Sequence, residues 1–402
     1  MRLKNLEESN MLDQEELKYI ASMYQTPCFI FDEEALIERV KDIRKISEDK
    51  YHLCYSIKAN PFLIPTMIQL VDHLEVCSPG ELEICKALHV PGNMIIYSGV
   101  NKEAWDIDEA IQYGVGILTC ESLKHVKCIN EEAKKLNVTV PVLLRLNAGS
   151  QFGMSNEDLF CLIDQMDVYS NIQVKGIHYF VGTQRKKIEH KVKELEMLKA
   201  LFQEIEAEHH VKLDKLEYGP GCNVSLFENE DFSDTYQPLK EIHTELSSFA
   251  QDVTIEMGRF FAPYCGTYLT KVMDLKENKG VNYCIVDGGI NHVNYYGSMM
   301  GMNVPVTQHI TDMEVEAKDW CICGSLCSTN DILIRKYHKG LSEGDLIAFE
   351  NIGAYSVTEG INLFLSRTLP CVLLRKKKYD YEVQRGHVES YVLNIPGGRK
   401  NG

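Results

Sequence analysis

The 402-residue chain contains no run of 18 or more apolar residues, so nothing in it has the length a membrane-spanning helix needs. Its first residues, MRLKNLEESNMLDQEELKY, carry charge throughout and lack the apolar core of a signal peptide, which leads to the expectation of a cytoplasmic protein. Basic residues are in deficit. The 42 Lys and Arg against 58 Asp and Glu leave a net charge of −16, which argues against a non-specific hold on nucleic acid or on an anionic membrane. Small-molecule chemistry is the remaining expectation. Internal repeats, low-complexity tracts and long linkers are also missing. The composition, 45% hydrophobic and 25% charged, excludes disorder and collagen-like repeats. The length suits two or three domains of about 150 residues, or a barrel of about 250 residues with a satellite.

Cysteine is plentiful, at 14 residues, but is not set at the spacings of a disulfide framework. Cys28, Cys54, Cys77 and Cys284 lie in apolar runs and read as reduced core thiols. The tightest group, Cys321, Cys323 and Cys327, lacks a C-x-x-C pair and a second ligand cluster, so no metal is expected.

Between residues 52 and 258, short β-branched and aliphatic runs alternate with stretches of helical period, the pattern of a parallel α/β sheet. Eight runs qualify: 52–59, 73–78, 93–99, 115–120, 140–147, 174–182, 215–221 and 253–258, each followed by a helix-compatible segment such as 188–210. Eight such units are most simply closed into a (β/α)8 TIM-like barrel, and no G-x-G-x-x-G follows the first strand to favour an open doubly wound sheet. After residue 260 the texture changes to alternating strands at 266–275, 281–289, 345–353 and 381–386, which read as an antiparallel β domain. The run CFIFD at 28–32, after an amphipathic helix at 14–24, is expected to join it. The expected division is therefore a barrel over 33–260 and a β domain from 1–32 plus 261–402.

Barrel active sites lie at the carboxyl ends of the strands. Lys58, in YSIKANP, ends the first strand where the chain turns at once, and a partly desolvated amine there favours the neutral, nucleophilic form that a Schiff-base lysine requires. A snorkelling surface lysine has the same sequence appearance. Gly219 and Gly221 after the seventh strand, and Gly258 with Arg259 after the eighth, fall where barrels bind phosphate through backbone N–H groups and an arginine. Glu256 shares a strand face with Gly258 and needs a cationic partner, either a neighbouring basic side chain or a protonated pyridine nitrogen. Lysine, phosphate cradle and acid together point to pyridoxal 5′-phosphate.

The motifs YSIKANP, EVCSPGE (75–81), GIHYFVGTQ (176–184), EMGRFFAP (256–263), VDGG (286–289), GSLCSTND (324–331) and GAY (353–355) carry a likeness spanning nearly the whole chain. The sequence resembles the fold-type III pyridoxal-phosphate decarboxylases, the group of diaminopimelate, ornithine and arginine decarboxylases. That resemblance implies a barrel with a C-terminal antiparallel β domain, as in alanine racemase, and release of CO2 from an amino acid. It implies Lys58 as the Schiff-base lysine and Glu256 at the pyridine nitrogen. Thr183, Gly219, Gly221, Gly258, Arg259 and Tyr355 would surround the phosphate, with Glu75 and His178 near the cofactor. It also implies a head-to-tail homodimer with shared sites, in which Cys327 of the partner subunit, or Lys58, returns the proton to Cα. Racemases of this fold put an arginine where Glu256 stands, so the glutamate favours decarboxylation.

Four departures bear on the substrate. Phe180 replaces the family's ring-stacking histidine, an exchange an aromatic ring can sustain. Ser328 replaces the glutamate that, in diaminopimelate decarboxylases, recognises the distal amino group. The segment 145–154 reaches its FGM turn without the usual loop. No arginine for a distal carboxylate occurs in YYGSMMGMNVP (295–305), which holds Met299, Met300 and Met302, either a pocket wall or ordinary core packing. With both distal anchors missing, the C-S-T-N-D and G-T-Q patterns look more like the branch acting on specialised intermediates, such as a siderophore precursor or an aminoacyl group on a carrier protein. Ser328, Asp331 and Tyr295 are the expected substrate contacts. The alternatives are a meso-diaminopimelate decarboxylase and a non-catalytic cofactor-binding homologue. Arg185, Lys186 and Lys187 could meet an acidic carrier or simply begin a solvated helix.

Overall fold

The computed structural model describes residues 12–295 and 300–397, which form two compact units. One comprises Arg39–Val224 and Thr235–Phe261; the other comprises Met1–Glu38, Ser225–Asp234 and Ala262–Gly402.

The first unit is the eight-stranded parallel barrel expected from the alternating runs. Its strands are β2 (His52–Ser56), β3 (His73–Val76), β4 (Ile95–Tyr97), β5 (Ile117–Cys120), β6 (Val140–Arg145), β7 (Ile172–Phe180), β8 (Lys215–Gly219) and β9 (Asp252–Met257). They close where Cys54 of β2 pairs with Glu256 of β9. Helices follow the strands because their apolar residues recur at helical period. In Ile188–His209, Leu195, Leu198, Phe202 and Ile205 are buried, three or four residues apart. Ser78, Ser122 and Ser155 each accept a hydrogen bond from a first-turn backbone N–H of the helix they precede, a cap worth about 1 kcal/mol. Side chains two apart on a strand share a face, which turns Cys54 and Ser56, Glu75, His178, Glu217 and Glu256 into the barrel interior.

The second unit holds nine strands among the described residues. Besides β1 (Cys28–Asp32) they are β10 (Gly266–Asn278), β11 (Val281–Val286), β12 (Thr307–Ile310), β13 (Lys318–Cys323), β14 (Ile332–Lys339), β15 (Leu346–Phe349), β16 (Cys371–Lys377) and β17 (Asp380–Arg385). β1 joins this sheet, as CFIFD suggested. The sheet is mostly antiparallel, yet β1 runs parallel to β16, and β11 parallel to β13. The antiparallel expectation is corrected at those two pairs, because an apolar-polar alternation is the same read in either direction. Helix Gln14–Tyr24 buries Leu17 and Ile20 against Ile30, Leu269 and Leu373. Arg375 is ion-paired to Glu16 at 2.9 Å and to Asp32, so these buried acids keep a cationic partner. No helix among the described residues is long and apolar enough to cross a membrane.

Candidate active site

Lys58 sits in the tight turn Ile57–Ala59 that follows β2. Tyr55 Oη donates to Asn60 O at 2.9 Å, and Asn60 Oδ1 accepts from Phe62 N at 3.1 Å, so the backbone on both sides of the lysine is pinned. Its amine donates to Glu75, to Glu256 Oε1 at 3.4 Å and to Cys77 Sγ at 3.4 Å. The snorkelling alternative is thereby excluded: the ammonium is turned inward onto two buried carboxylates.

Glu256 is the hub. Besides Lys58, its Oε1 accepts from Ser56 Oγ at 3.1 Å and its Oε2 faces His178 Nε2 at 3.1 Å. Burial opposes its charge, but the Lys58 ammonium and the His178 hydrogen bond outweigh burial and hold this carboxyl well below the usual carboxylate range. Burial and the negative charge of Glu256 push Glu75 the other way, upward, against the pull of Lys58. Two neighbouring acids are thus driven apart, and the one opposite the lysine and histidine keeps the charge.

The turns after β7 and β8 are stitched together. Arg185 N donates to Gly221 O at 2.9 Å, while the Gln184 amide donates to Val224 O at 3.0 Å and accepts from Val224 N at 2.9 Å. Gly221 has φ +58°, and a Cβ there would fall 1.9 Å from Gly182 O. A Cβ on Gly219 would meet the Phe180 ring at 2.3 Å, so glycine is what lets that ring lie across the end of β8. Thr183 is half-buried in the first of these turns, and the buried Arg259 follows Gly258 beyond β9. Arg185 is not part of a basic patch: its guanidinium is paired with Glu194, which leaves Lys186 and Lys187 as the exposed cations before the helix.

In the second unit, Tyr355 has φ +72° and ψ −43°, a conformation that L residues adopt at a cost of about 1–3 kcal/mol and that collects at functional positions. Cys327 is exposed, and Ser328 beside it is half-buried. Asp331 and Tyr295, the expected substrate contacts, both make hydrogen bonds within the fold. The buried Asp331 carboxylate accepts from Ile290 N at 2.9 Å and Leu326 N at 2.8 Å, and presses on Gly289 and Gly324, so it braces the cysteine loop against VDGG. Buried Tyr295 packs on Phe227 and donates to Glu350 O at 2.5 Å. Met302 is exposed, which rules it out of the core, and Met299 lies outside the described residues.

Several polar residues escaped the sequence reading. Glu81 accepts from Cys77 N at 2.7 Å. Lys102 is buried and donates to Gly99 O and Thr119 O at the ends of β4 and β5, and burial pulls its pKa down to about 8. Arg145 pairs with Glu121 at 2.5 Å beneath the Phe152 ring. Glu217 is fully buried in the barrel, and its parity with Gly219 could have revealed it.

An amine paired with buried carboxylates, a carboxylate held ionised, a ring positioned by glycine, a turn after β8 too tight for side chains and a buried arginine fit pyridoxal phosphate. The closeness of His178, Glu217 and Glu256, with donor atoms within 4.8 Å of one another, would also suit a metal ion. The Lys58 ammonium already neutralises Glu256 there.

Residues 33–263 match the family model described as pyridoxal-dependent decarboxylase, pyridoxal binding domain. An L-glutamyl-[BtrI acyl-carrier protein] decarboxylase of Niallia circulans is 27% identical over 409 residues, covering 93% of this chain and 94% of that protein. A diaminopimelate decarboxylase of Aquifex aeolicus is 24% identical over 402 residues, covering 92% and 93%. In fold, the chain is similar to the crystal structure of diaminopimelate decarboxylase from Helicobacter pylori complexed with L-lysine, with a TM-score of 0.80 at 21% identity and coverage of 93% and 97%.

Proposed function

The chain belongs to the pyridoxal-dependent decarboxylases, and we propose that this carboxy-lyase acts on an amino acid whose distal end carries no free charge, such as an aminoacyl group tethered to a carrier protein. The observation that carries this reading is the loss of both distal anchors, Ser328 standing in for a glutamate and no arginine occurring across 295–305, beside an intact lysine and acid centre. A distal carboxyl masked as a thioester needs neither anchor. The Niallia circulans relative supports the reading, since its name gives a glutamyl group on an acyl-carrier protein.

Lys58 would hold the cofactor, Glu256 would keep the proton on its ring nitrogen, and Phe180 would offer an aromatic face to the ring. Thr183, Gly219, Gly221, Gly258, Arg259 and Tyr355 would take the phosphate. When bound, the cofactor supplies an electron sink for the pair left at Cα as CO2 departs. Glu256 would serve that sink as a carboxylate: Lys58 and His178 hold it ionised in the cofactor-free protein, and once Lys58 is committed to the cofactor the His178 hydrogen bond and the ring-nitrogen proton would favour the same charged form. Cys327 of the partner subunit would return a proton to Cα, in a head-to-tail dimer working in the cytoplasm.

The test is CO2 release by the cofactor-loaded protein given, in parallel, meso-diaminopimelate and a glutamyl thioester on a purified carrier protein. Turnover of the thioester alone is expected. Rapid turnover of meso-diaminopimelate would overturn the reading and make this a lysine-pathway enzyme.

A further inference from the structure

The barrel interior contains a carboxyl that the proposed chemistry does not use. Glu217, on β8, is 1% exposed, and neither of its carboxyl oxygens has a hydrogen-bond partner among the described residues. Its register partner on β7 is His178, whose Nδ1 is likewise buried without one. The other ring nitrogen of His178 is the one that faces Glu256 at 3.1 Å. Glu217, His178 and Glu256 bring their donor atoms within 4.8 Å of one another. Two orphaned polar groups in adjacent register, with the histidine between two acids, complement each other: the ring needs a donor at Nδ1 if Nε2 is to donate to Glu256.

We propose that Glu217 is a positioning residue, the far end of a relay in which its protonated carboxyl donates to His178 Nδ1 and His178 Nε2–H donates to Glu256. Closing the first link takes a side-chain rotation or one bridging water. An ionised Glu217 without a hydrogen bond would be a bare buried charge, whereas a neutral one has an O–H to give. The groups facing it agree. Burial, with Glu256 on β9 and Glu75 on β3, raises its pKa well above the usual value, against the opposing pull of Lys58 and Arg145; Cys54 on β2 adds a neutral thiol held far from ionisation. The relay fixes the tautomer of His178, and so keeps Glu256 a pure acceptor at the atom it presents to the cofactor. The assignment rests on the proposed place of Glu256 at the ring nitrogen. Its first readouts do not.

The experiment compares wild type with Glu217→Gln, whose amide retains an N–H donor, and Glu217→Leu, which has none. In the cofactor-free protein at neutral pH, infrared spectroscopy should give a protonated-carboxyl band in wild type that both variants lack. 15N NMR of labelled histidine should place the His178 proton on Nε2 in wild type and Glu217→Gln but not in Glu217→Leu. In the loaded enzyme, Glu217→Leu should lower kcat about tenfold or more with KM unchanged, and Glu217→Gln should restore most of the loss. Absence of the protonated band, or a Glu217→Leu protein with the wild-type His178 tautomer, overturns the relay. Should Glu217→Leu fail to fold, the wild-type and Glu217→Gln spectra decide. A protein with the relay signature but no CO2 release would keep this inference and sink the proposed activity, and the reverse pattern would do the opposite.

Discussion

Replacing Gly221 by alanine should damage cofactor binding far more than an ordinary glycine replacement, and Gly114 provides the control. Both glycines adopt positive φ, +58° and +78°. An L residue pays about 1–2 kcal/mol for that backbone conformation, so both variants incur the same conformational cost. They differ in space. At Gly114, the C-terminal cap of helix Ala104–Tyr113, an added Cβ meets nothing within 4 Å. At Gly221 it falls 1.9 Å from Gly182 O and 3.0 Å from Arg185 Cδ. The first distance is roughly half the favourable separation of two non-bonded heavy atoms, and its partner is backbone, so the turn itself must move.

Crowding of this kind costs about 1–3 kcal/mol beyond the conformational part, for a total of about 2–5 kcal/mol. The displaced atoms belong to the turn that Arg185 N and Gln184 stitch to Val224 and Gly221, the proposed phosphate cradle. Calorimetric titration with pyridoxal phosphate should therefore read a loss of affinity of about tenfold or more for Gly221→Ala, with each 1.4 kcal/mol lost there counting tenfold, and no change for Gly114→Ala. Denaturant unfolding should place Gly114→Ala about 1–2 kcal/mol below wild type. Equal unfolding penalties in the two variants, or wild-type cofactor affinity in Gly221→Ala, would refute the assignment of this turn.

Three further outcomes are expected. Arg145→Met strands the buried Glu121 carboxylate and should cost about 3–5 kcal/mol in denaturant unfolding, whereas adding Glu121→Leu should recover much of that; an additive double variant would deny the pairing. His125, buried and held down to about 4 with its Nδ1 accepting from Glu121 N, stays neutral in the fold while the unfolded chain takes up its proton near pH 6.5. The unfolded state then binds more protons between those values, so stability is full above pH 6.5 and falls by about 2–3 kcal/mol toward pH 4; His125→Gln should flatten that limb in unfolding measured against pH. Cys327→Ala should slow CO2 release while leaving cofactor affinity unchanged, and wild-type turnover would remove it from the reaction.

What was legible in the sequence followed from residues whose type is unusual for their place. A lysine closing an apolar strand, an acid before Gly-Arg and eight alternating runs each conflict with ordinary surface or core composition, and the fold brings Lys58 onto Glu256, together with Glu75 and His178, which only the family resemblance had pointed to. Strand direction was not legible at β16, because its partner β1 lies some 340 residues away and the pattern of neither specifies which end meets which. The bracing contacts of Asp331 were not legible for a related reason. An acid four residues after a cysteine in a polar loop has the sequence appearance of a substrate contact, and only the fold shows its two oxygens spent on Ile290 N and Leu326 N.

The fold contacts of Asp331 also bear on where the proposed substrate choice would be made. With Asp331 bracing the loop and Tyr295 committed to Glu350 O, Ser328 is the remaining expected contact whose side chain is not already spent holding the fold in place by burial. Among the described residues its hydroxyl accepts from Asn330 N alone, at 3.2 Å and within its own turn. A short neutral hydroxyl beside Cys327 leaves room and supplies no charge, and a charged distal group without a partner would forfeit about 1.5–3 kcal/mol that a charged hydrogen bond returns. On the proposed reading, exclusion of free diamino acids would need no added barrier at this position: the missing partner would account for roughly 10-fold to 100-fold in selectivity, and a substrate masked at its distal end would lose nothing by comparison.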